Sequence, residues 1–313
     1  MDNINNQELG AQANKDFKSG FVTVVGRPNV GKSTLINRLV GHKVAIVTNK
    51  PQTTRNNIRA VLNKKDEYQV VLLDTPGIHT PKLEIDRFMN ANAFRGMKDT
   101  DLILFLVPAD ETIGKNDLYI AEDLKKKEDT PKILVITKAD TVSKEELMQK
   151  VQDWKEIFPA DDTIVISTLM NDNIDKLLDL ILKYMPNDFK FFGDDQISDQ
   201  PNRFFIKELI REQVLLKTGQ EVPHSSAVSI DMLEDEPDHM DIDATIYVER
   251  DSQKGIIIGK GGSKINDIKY KVRRELEEAY NKPVDLQIHV KVEKNWRSSP
   301  SLLKRMGYDK DKY

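Results

Sequence analysis

The chain contains no cysteine, which excludes disulfides, thiolate metal sites and cysteine nucleophiles. It also lacks a long apolar run. The longest, Leu102 to Val107, falls far short of the roughly 20 residues that span a bilayer. The opening stretch MDNINNQELGAQANKDFKSG has no apolar segment of the signal-peptide kind. Nor is there a strong excess of one charge: the net value is −4, so a polyanionic partner must be met by a local basic patch. These absences lead to the expectation of a soluble, cytoplasmic protein with a disordered leader over residues 1–18. The length, 313 residues, suggests two domains, each large enough to bury a core.

From residue 19 to 185, short β-branched apolar runs (FVTVVG, VVLLDTPG, LILFLVP, KILVIT, TIVIS) alternate with amphipathic stretches (LINRLV, EELMQKVQDWKEIF, NIDKLLDLILKYM). That alternation predicts an α/β domain, a mostly parallel sheet with helices on both faces and its ligand site at the strand ends. The polar, Pro- and Gly-bearing stretch 186–201 reads as a linker. Beyond it, over 202–313, the order changes. A helix over 202–217 precedes strands over 225–233 and 241–250, a glycine-rich turn, a charged helix over 263–280 and a strand over 284–293. This is the pattern of a smaller α+β domain.

The motif GRPNVGKS, Gly26 to Ser33, lies between a predicted strand and a predicted helix. Its glycines let backbone N–H groups turn inward onto phosphate oxygens, with the positive end of the following helix beside them. Lys32 suits the β- and γ-phosphates and the Ser33 hydroxyl suits Mg²⁺; Val30, Gly31 and Thr34 complete the loop. DTPG, Asp74 to Gly77, follows a strand, placing Asp74 by the Mg²⁺ and the Gly77 amide by the γ-phosphate. TKAD, with Thr137, Lys138 and Asp140, follows the next strand but one, and Ser167 follows TIVIS. The Asp140 carboxylate can accept from the N1–H and N2–H₂ of guanine, a pair of donors that adenine lacks.

The second domain carries GIIIGKGGSKI. A G-x-x-G turn, Gly259–Lys260–Gly261–Gly262, lets the chain approach a nucleic-acid backbone, with Lys264 for phosphates and Ile258 and Ile265, with Ile256 and Ile257, for unstacked bases. In its hydrophobic frame the stretch resembles a KH module of the α-first topology, a grip on about four single-stranded nucleotides.

Taken with PQTTR, the whole series from 19 to 297 resembles the Era family of ribosome-assembly GTPases; GRPNVGKSTLINRLVG, LLDTPGIH and IIIGKGGSKI carry the likeness. The resemblance implies a monomeric GTPase using GTP/GDP and Mg²⁺ and acting in small-subunit assembly. Its target would be the single-stranded 3′ end of small-subunit ribosomal RNA, with some peripheral membrane contact. It makes a threonine of PQTTR the group that closes on Mg²⁺ and γ-phosphate; Thr54 is the choice, with Thr53 adjacent. Asn29 is then either a K⁺ ligand or a brace of its loop. Two departures stand out. Ile78 occupies the position where many GTPases orient water with glutamine, and Thr137 replaces the usual asparagine of NKxD. Two further readings remain at this level: an RNA-binding module with an inert nucleotide site, and a membrane-associated GTPase like dynamins or iron transporters.

Overall fold

The computed structural model describes residues 16–219 and 222–308. The first part runs β1 (Lys18–Val25), α1 (Lys32–Val40), β2 (Ile58–Lys64), β3 (Tyr68–Asp74), α2 (Glu84–Gly96), β4 (Leu102–Pro108), α3 (Lys115–Lys125), β5 (Lys132–Thr137), α4 (Lys144–Ile157), β6 (Asp162–Val165) and α5 (Ile174–Tyr184). Its strands form one sheet in the order β2-β3-β1-β4-β5-β6. All neighbours are parallel except β2, which returns antiparallel to β3. β4 and β5 are buried at every position, which is why their sequences are continuous rather than alternating apolar runs. Leu35, Ile36, Leu177 and Ile181 of α1 and α5 pack in one cluster, and Ala93, Ile120, Leu124 and Trp154 of α2, α3 and α4 in another. The sheet is thereby covered on both faces, and its carboxyl ends are left as the crevice.

The second part runs α6 (Asn202–Lys217), α7 (Val222–Ser225), β7 (Ala227–Asp235), β8 (Met240–Val248), α8 (Asp251–Ile258), α9 (Ser263–Tyr280), β9 (Val284–Val292) and α10 (Pro300–Arg305). Its sheet has the order β7-β8-β9, with β7 antiparallel and β9 parallel to β8. Leu209, Ile210 and Val214 of α6 and Ile268, Val272 and Leu276 of α9 lie in its core. The helix-first α+β architecture is the one expected.

The strands read as 225–233 and 241–250 run Ala227–Asp235 and Met240–Val248, and three further stretches add detail to the sequence reading. The leader lies outside the described residues up to residue 15, but Phe17 is buried and Lys18 already begins β1. The stretch 186–201, read as a linker, is hydrogen-bonded along the first sheet. Ile197 O accepts from Val61 N at 2.9 Å, Ser198 Oγ donates to Arg59 O at 2.7 Å, and the amides of Phe191 and Phe192 donate to Gln69 Oε1. It supplies partners to the open edge of β2, which would otherwise be an unpaired edge strand. Finally, Ile256–Ile258 end α8 rather than lying in the glycine turn. A short apolar run carries too few residues to separate helix from turn.

Candidate nucleotide and nucleic-acid site

The turn after β1 brings the loop of residues 26–31 over the N-terminus of α1. The first turn of that helix has no acidic residue and its N-cap, Gly31, offers no side-chain cap, so the leading N–H groups stay open to an anion. Lys32 folds back, its Nζ donating to Gly26 O and Arg27 O at 3.0 Å each. Burial pushes this amine down to about 8 against the pull of Asp74, and burial likewise pushes the Asp74 carboxyl up. A cation and a carboxylate thus attract each other here while both are stripped of water.

Next to Lys32, three hard oxygens converge from three elements. Ser33 Oγ donates to Asp74 Oδ2 at 2.6 Å and lies 2.9 Å from Thr54 Oγ1, which reaches the same carboxylate oxygen at 3.2 Å. The other carboxylate oxygen, Asp74 Oδ1, is buried with no hydrogen-bond partner among the described residues. Oxygen donors of this kind, with an unsatisfied buried carboxylate oxygen among them, fit a Mg²⁺ ion that keeps its remaining positions for phosphate and water. The neighbouring threonine points elsewhere: Thr53 Oγ1 donates to Lys50 O at 2.7 Å and pairs with Thr48. Gly77 closes the cleft from the end of β3, so near the loop that a Cβ there would stand 2.6 Å from Pro28 N. Thr34 and Asn29 line the same cavity, and the Asn29 amide donates to Asn49 O at 3.0 Å. Ile78 is fully buried beside Val25, Ala93 and Met97 and does not reach the cleft.

At the end of β5, Thr137 Oγ1 donates to Val30 O at 2.8 Å, tying this strand to the phosphate loop. Ser167 Oγ donates to Asp140 Oδ1 and in turn accepts from Met170 N at 3.0 Å. Lys138 reaches Asp110 and Glu111 at 3.3 Å. The residues read as one binding set are therefore brought to one edge of the sheet.

The glycine loop between α8 and α9 has left-handed backbone at Gly259, Gly261 and Gly262 (φ 73°, 59° and 79°). A Cβ at Gly259 would meet Lys264 Cβ at 2.8 Å, so the turn requires glycine there. Lys260 is exposed at the tip, and Lys264 and Ile265 are half-buried behind it. The three isoleucines divide: Ile257 is fully inside the core, Ile256 is exposed and Ile258 half-buried. Helical spacing turns one of three consecutive residues inward, so Ile257 is withdrawn from any base-contacting role.

Sequence reading missed how the two parts meet. Arg55, the last residue of PQTTR, is buried beside the stacked rings of Trp296 and Tyr308, donating to Ser226 O at 2.8 Å and Pro223 O at 3.2 Å. From α6, the buried Arg211 pairs with Glu208 and donates to Thr53 O. Glu212 accepts from Val47 N at 3.0 Å. The loop bearing Thr54 is thus seated on the second domain. Its only sequence signal was charge on the apolar face of a predicted helix.

A family model described as a 50S ribosome-binding GTPase matches residues 21–138, and a KH domain model matches residues 221–297. The chain is similar to a solved structure of Era in complex with MgGDPNP and nucleotides 1506–1542 of 16S ribosomal RNA. That match has 36% identity and a TM-score of 0.90, covering 94% of this chain and 99% of that one. It is also similar to a substituted Aquifex aeolicus Era bound to GDP and aluminium fluoride, at 36% identity and a TM-score of 0.89, covering 93% and 99%. With that identity sustained along nearly the whole of both chains, and with the phosphate loop and glycine loop each folded in place, the chain belongs to the Era family of GTPases.

Proposed function

We propose that this protein is a GTP-hydrolysing switch that holds single-stranded RNA from the 3′ region of small-subunit ribosomal RNA during assembly of that subunit. The observation that carries the reading is the meeting of Ser33, Thr54 and Asp74 oxygens beside the open N-terminus of α1, in a chain that also presents a G-x-x-G loop. Ser33, Thr54 and Asp74 would hold Mg²⁺, which when bound neutralises charge on the β- and γ-phosphates. Lys32 adds a cation to the same phosphates, and the Gly77 amide faces the γ-phosphate. With its amide nitrogen engaged by Asn49, Asn29 has its side-chain oxygen left to offer a K⁺ ion. On this reading the protein acts as a cytoplasmic monomer, and any membrane contact is peripheral. Among the described residues, no helix is long and apolar enough to cross a bilayer.

Asp140 is the group we assign to the guanine N1–H and N2–H₂, with Ser167 fixing its other oxygen. The single hydroxyl proton of Thr137 is spent on Val30 O, so the tie to the phosphate loop is kept and a contact to the base is given up. Thr137→Asn restores a second donor and tightens GDP binding several-fold, up to about tenfold, the value of one neutral hydrogen bond. ATP stays excluded. Calorimetry decides it; equal GDP dissociation constants would mean the hydroxyl serves as well as the amide.

RNA contact runs through the glycine loop. Gly261 has open space where a side chain would go, and Gly262 has only Asn266 nearby at 3.7 Å, so aspartates meet no clash at either and the cost is the left-handed backbone. Aspartate also tolerates left-handed backbone better than most residues. Gly261→Asp with Gly262→Asp sets two carboxylates against phosphate and weakens binding of a single-stranded 3′-end RNA by about tenfold or more. GTP hydrolysis without RNA stays within twofold. Unchanged RNA affinity, measured by fluorescence anisotropy, would remove the KH loop from the function.

A further inference from the structure

The buried Ile78 leaves the cleft without the usual water-orienting side chain. The polar groups that line the phosphate cavity are mostly committed. Ser33 and Thr54 are joined with Asp74, Thr53 with Thr48 and Lys50, and Asn29 with Asn49. Gln52 differs. It lies two residues before Thr54 and lines the cavity together with Gly77.

Its amide is oriented by α2 and by the segment after Gly77. Gln52 Nε2 donates to Asp86 Oδ1 at 2.9 Å and stands 3.3 Å from His79 Nε2. Both groups are themselves held. Asp86 Oδ2 accepts from the Lys82 and Leu83 amides at 2.8 and 2.9 Å, at the start of α2. His79 Nδ1 lies 3.0 Å from Gly77 O, and Asn90 Nδ2 donates to His79 O at 2.6 Å. A carbonyl can only accept, so Nδ1 carries a proton, while Nε2 lies 3.4 Å from Asp86 Oδ1, whose carboxylate raises the imidazole's affinity for a second one. The Asp86 carboxylate is the acceptor for the Gln52 amide, and a flipped amide would set Oε1 against that carboxylate. Gln52 Oε1 has no hydrogen-bond partner among the described residues.

We propose that Gln52 is the catalytic residue that orients the attacking water, its Oε1 accepting a hydrogen bond from that water. Asp86 and His79 are the positioning residues that aim it. This rests on the GTPase reading above. In the step itself the water oxygen bonds to the γ-phosphorus, and the bond from that phosphorus to the β–γ bridging oxygen breaks. The electron pair leaves on GDP, and the protons of the water pass to inorganic phosphate and solvent. Gln52 stays neutral throughout. Its work is alignment, for which a misplacement of about 1 Å costs on the order of a hundredfold.

The test uses the full chain with Mg²⁺ in KCl. Gln52 has left-handed backbone (φ 62°), and asparagine suits that conformation while withdrawing the amide by one methylene. Gln52→Asn should slow single-turnover GTP hydrolysis by about a hundredfold. It should leave the GDPNP dissociation constant within twofold and abolish the slowing of fluorescent GDP release by aluminium fluoride. Asp86→Asn should behave likewise, because its amide nitrogen repels that of Gln52 and turns Oε1 inward. In that background, Gln52→Glu restores the pairing with donor and acceptor exchanged and returns at least about tenfold of the rate. Gln52→Glu alone opposes two carboxylates and does not. Hydrolysis by Gln52→Asn within threefold of wild type, or a parallel loss of GDPNP affinity, would overturn the assignment. A wild type that binds GDP yet never hydrolyses GTP would overturn the GTPase reading and this proposal with it.

Discussion

Lys32→Ala lowers kcat/KM for GTP by about a hundredfold or more, the cost of removing one fixed donor from developing phosphate charge. The side chain is buried and held by two loop carbonyls, so no neighbouring cation moves in to replace it. GDP binding weakens with it, because the amine also serves the ground state. Thr54→Ala has a different signature. It removes a hydroxyl that arrives from the loop after α1, not from the phosphate loop itself. GDP affinity therefore stays near wild type while GTP hydrolysis falls by about ten- to a hundredfold. Thr53→Ala, whose hydroxyl is spent inside its own loop, retains most of the rate. Single-turnover hydrolysis with parallel GDP titrations checks all three. A Thr53 defect larger than that of Thr54 would reverse the assignment.

Arg211→Ala is expected to cost about 3–5 kcal/mol of stability, the penalty for breaking a buried ion pair and leaving one charge behind. Glu208 is 4% exposed and would lose the guanidinium it is hydrogen-bonded to, and Thr53 O would lose its donor. The loss extends to function, because Thr53 precedes the hydroxyl that meets Ser33 and Asp74. A thermal melt registers the stability term, and GTP hydrolysis measured well below the melt registers the second. Arg211→Met combined with Glu208→Leu separates them. Replacing both charges by apolar groups recovers much of the stability, yet leaves Thr53 O without its partner and hydrolysis slow. A single variant that melts with wild type would show that the pair bears no load, and normal hydrolysis by the double variant would detach the second domain from the loop.

The short apolar runs pointed to a parallel sheet because strands buried on both faces must be apolar throughout, as LILFLVP and KILVIT are. What they did not reveal was β2, whose alternation is blurred by burial at Ala60, Val61 and Leu62, or the seating of 186–201 along its edge. The final segment went unread for a similar reason. Trp296, Leu303, Met306 and Tyr308 pack on Ile85, Phe88 and Met89 of α2, and a cluster assembled from both domains has no period in either.

The sequence by itself determined the phosphate loop, the glycine loop and the residue types at each, because their chemistry is set by spacings of a few residues and by backbone that glycine alone adopts with ease. Only the tertiary structure decided which threonine meets Ser33 and Asp74, which isoleucine turns into the core, and that Arg55, Arg211 and Gln52 hold working positions. Arg211 and Thr53 stand 158 residues apart in the chain. A hydrogen bond across that distance is selected by how two finished domains pack, and packing leaves no local pattern in a single sequence.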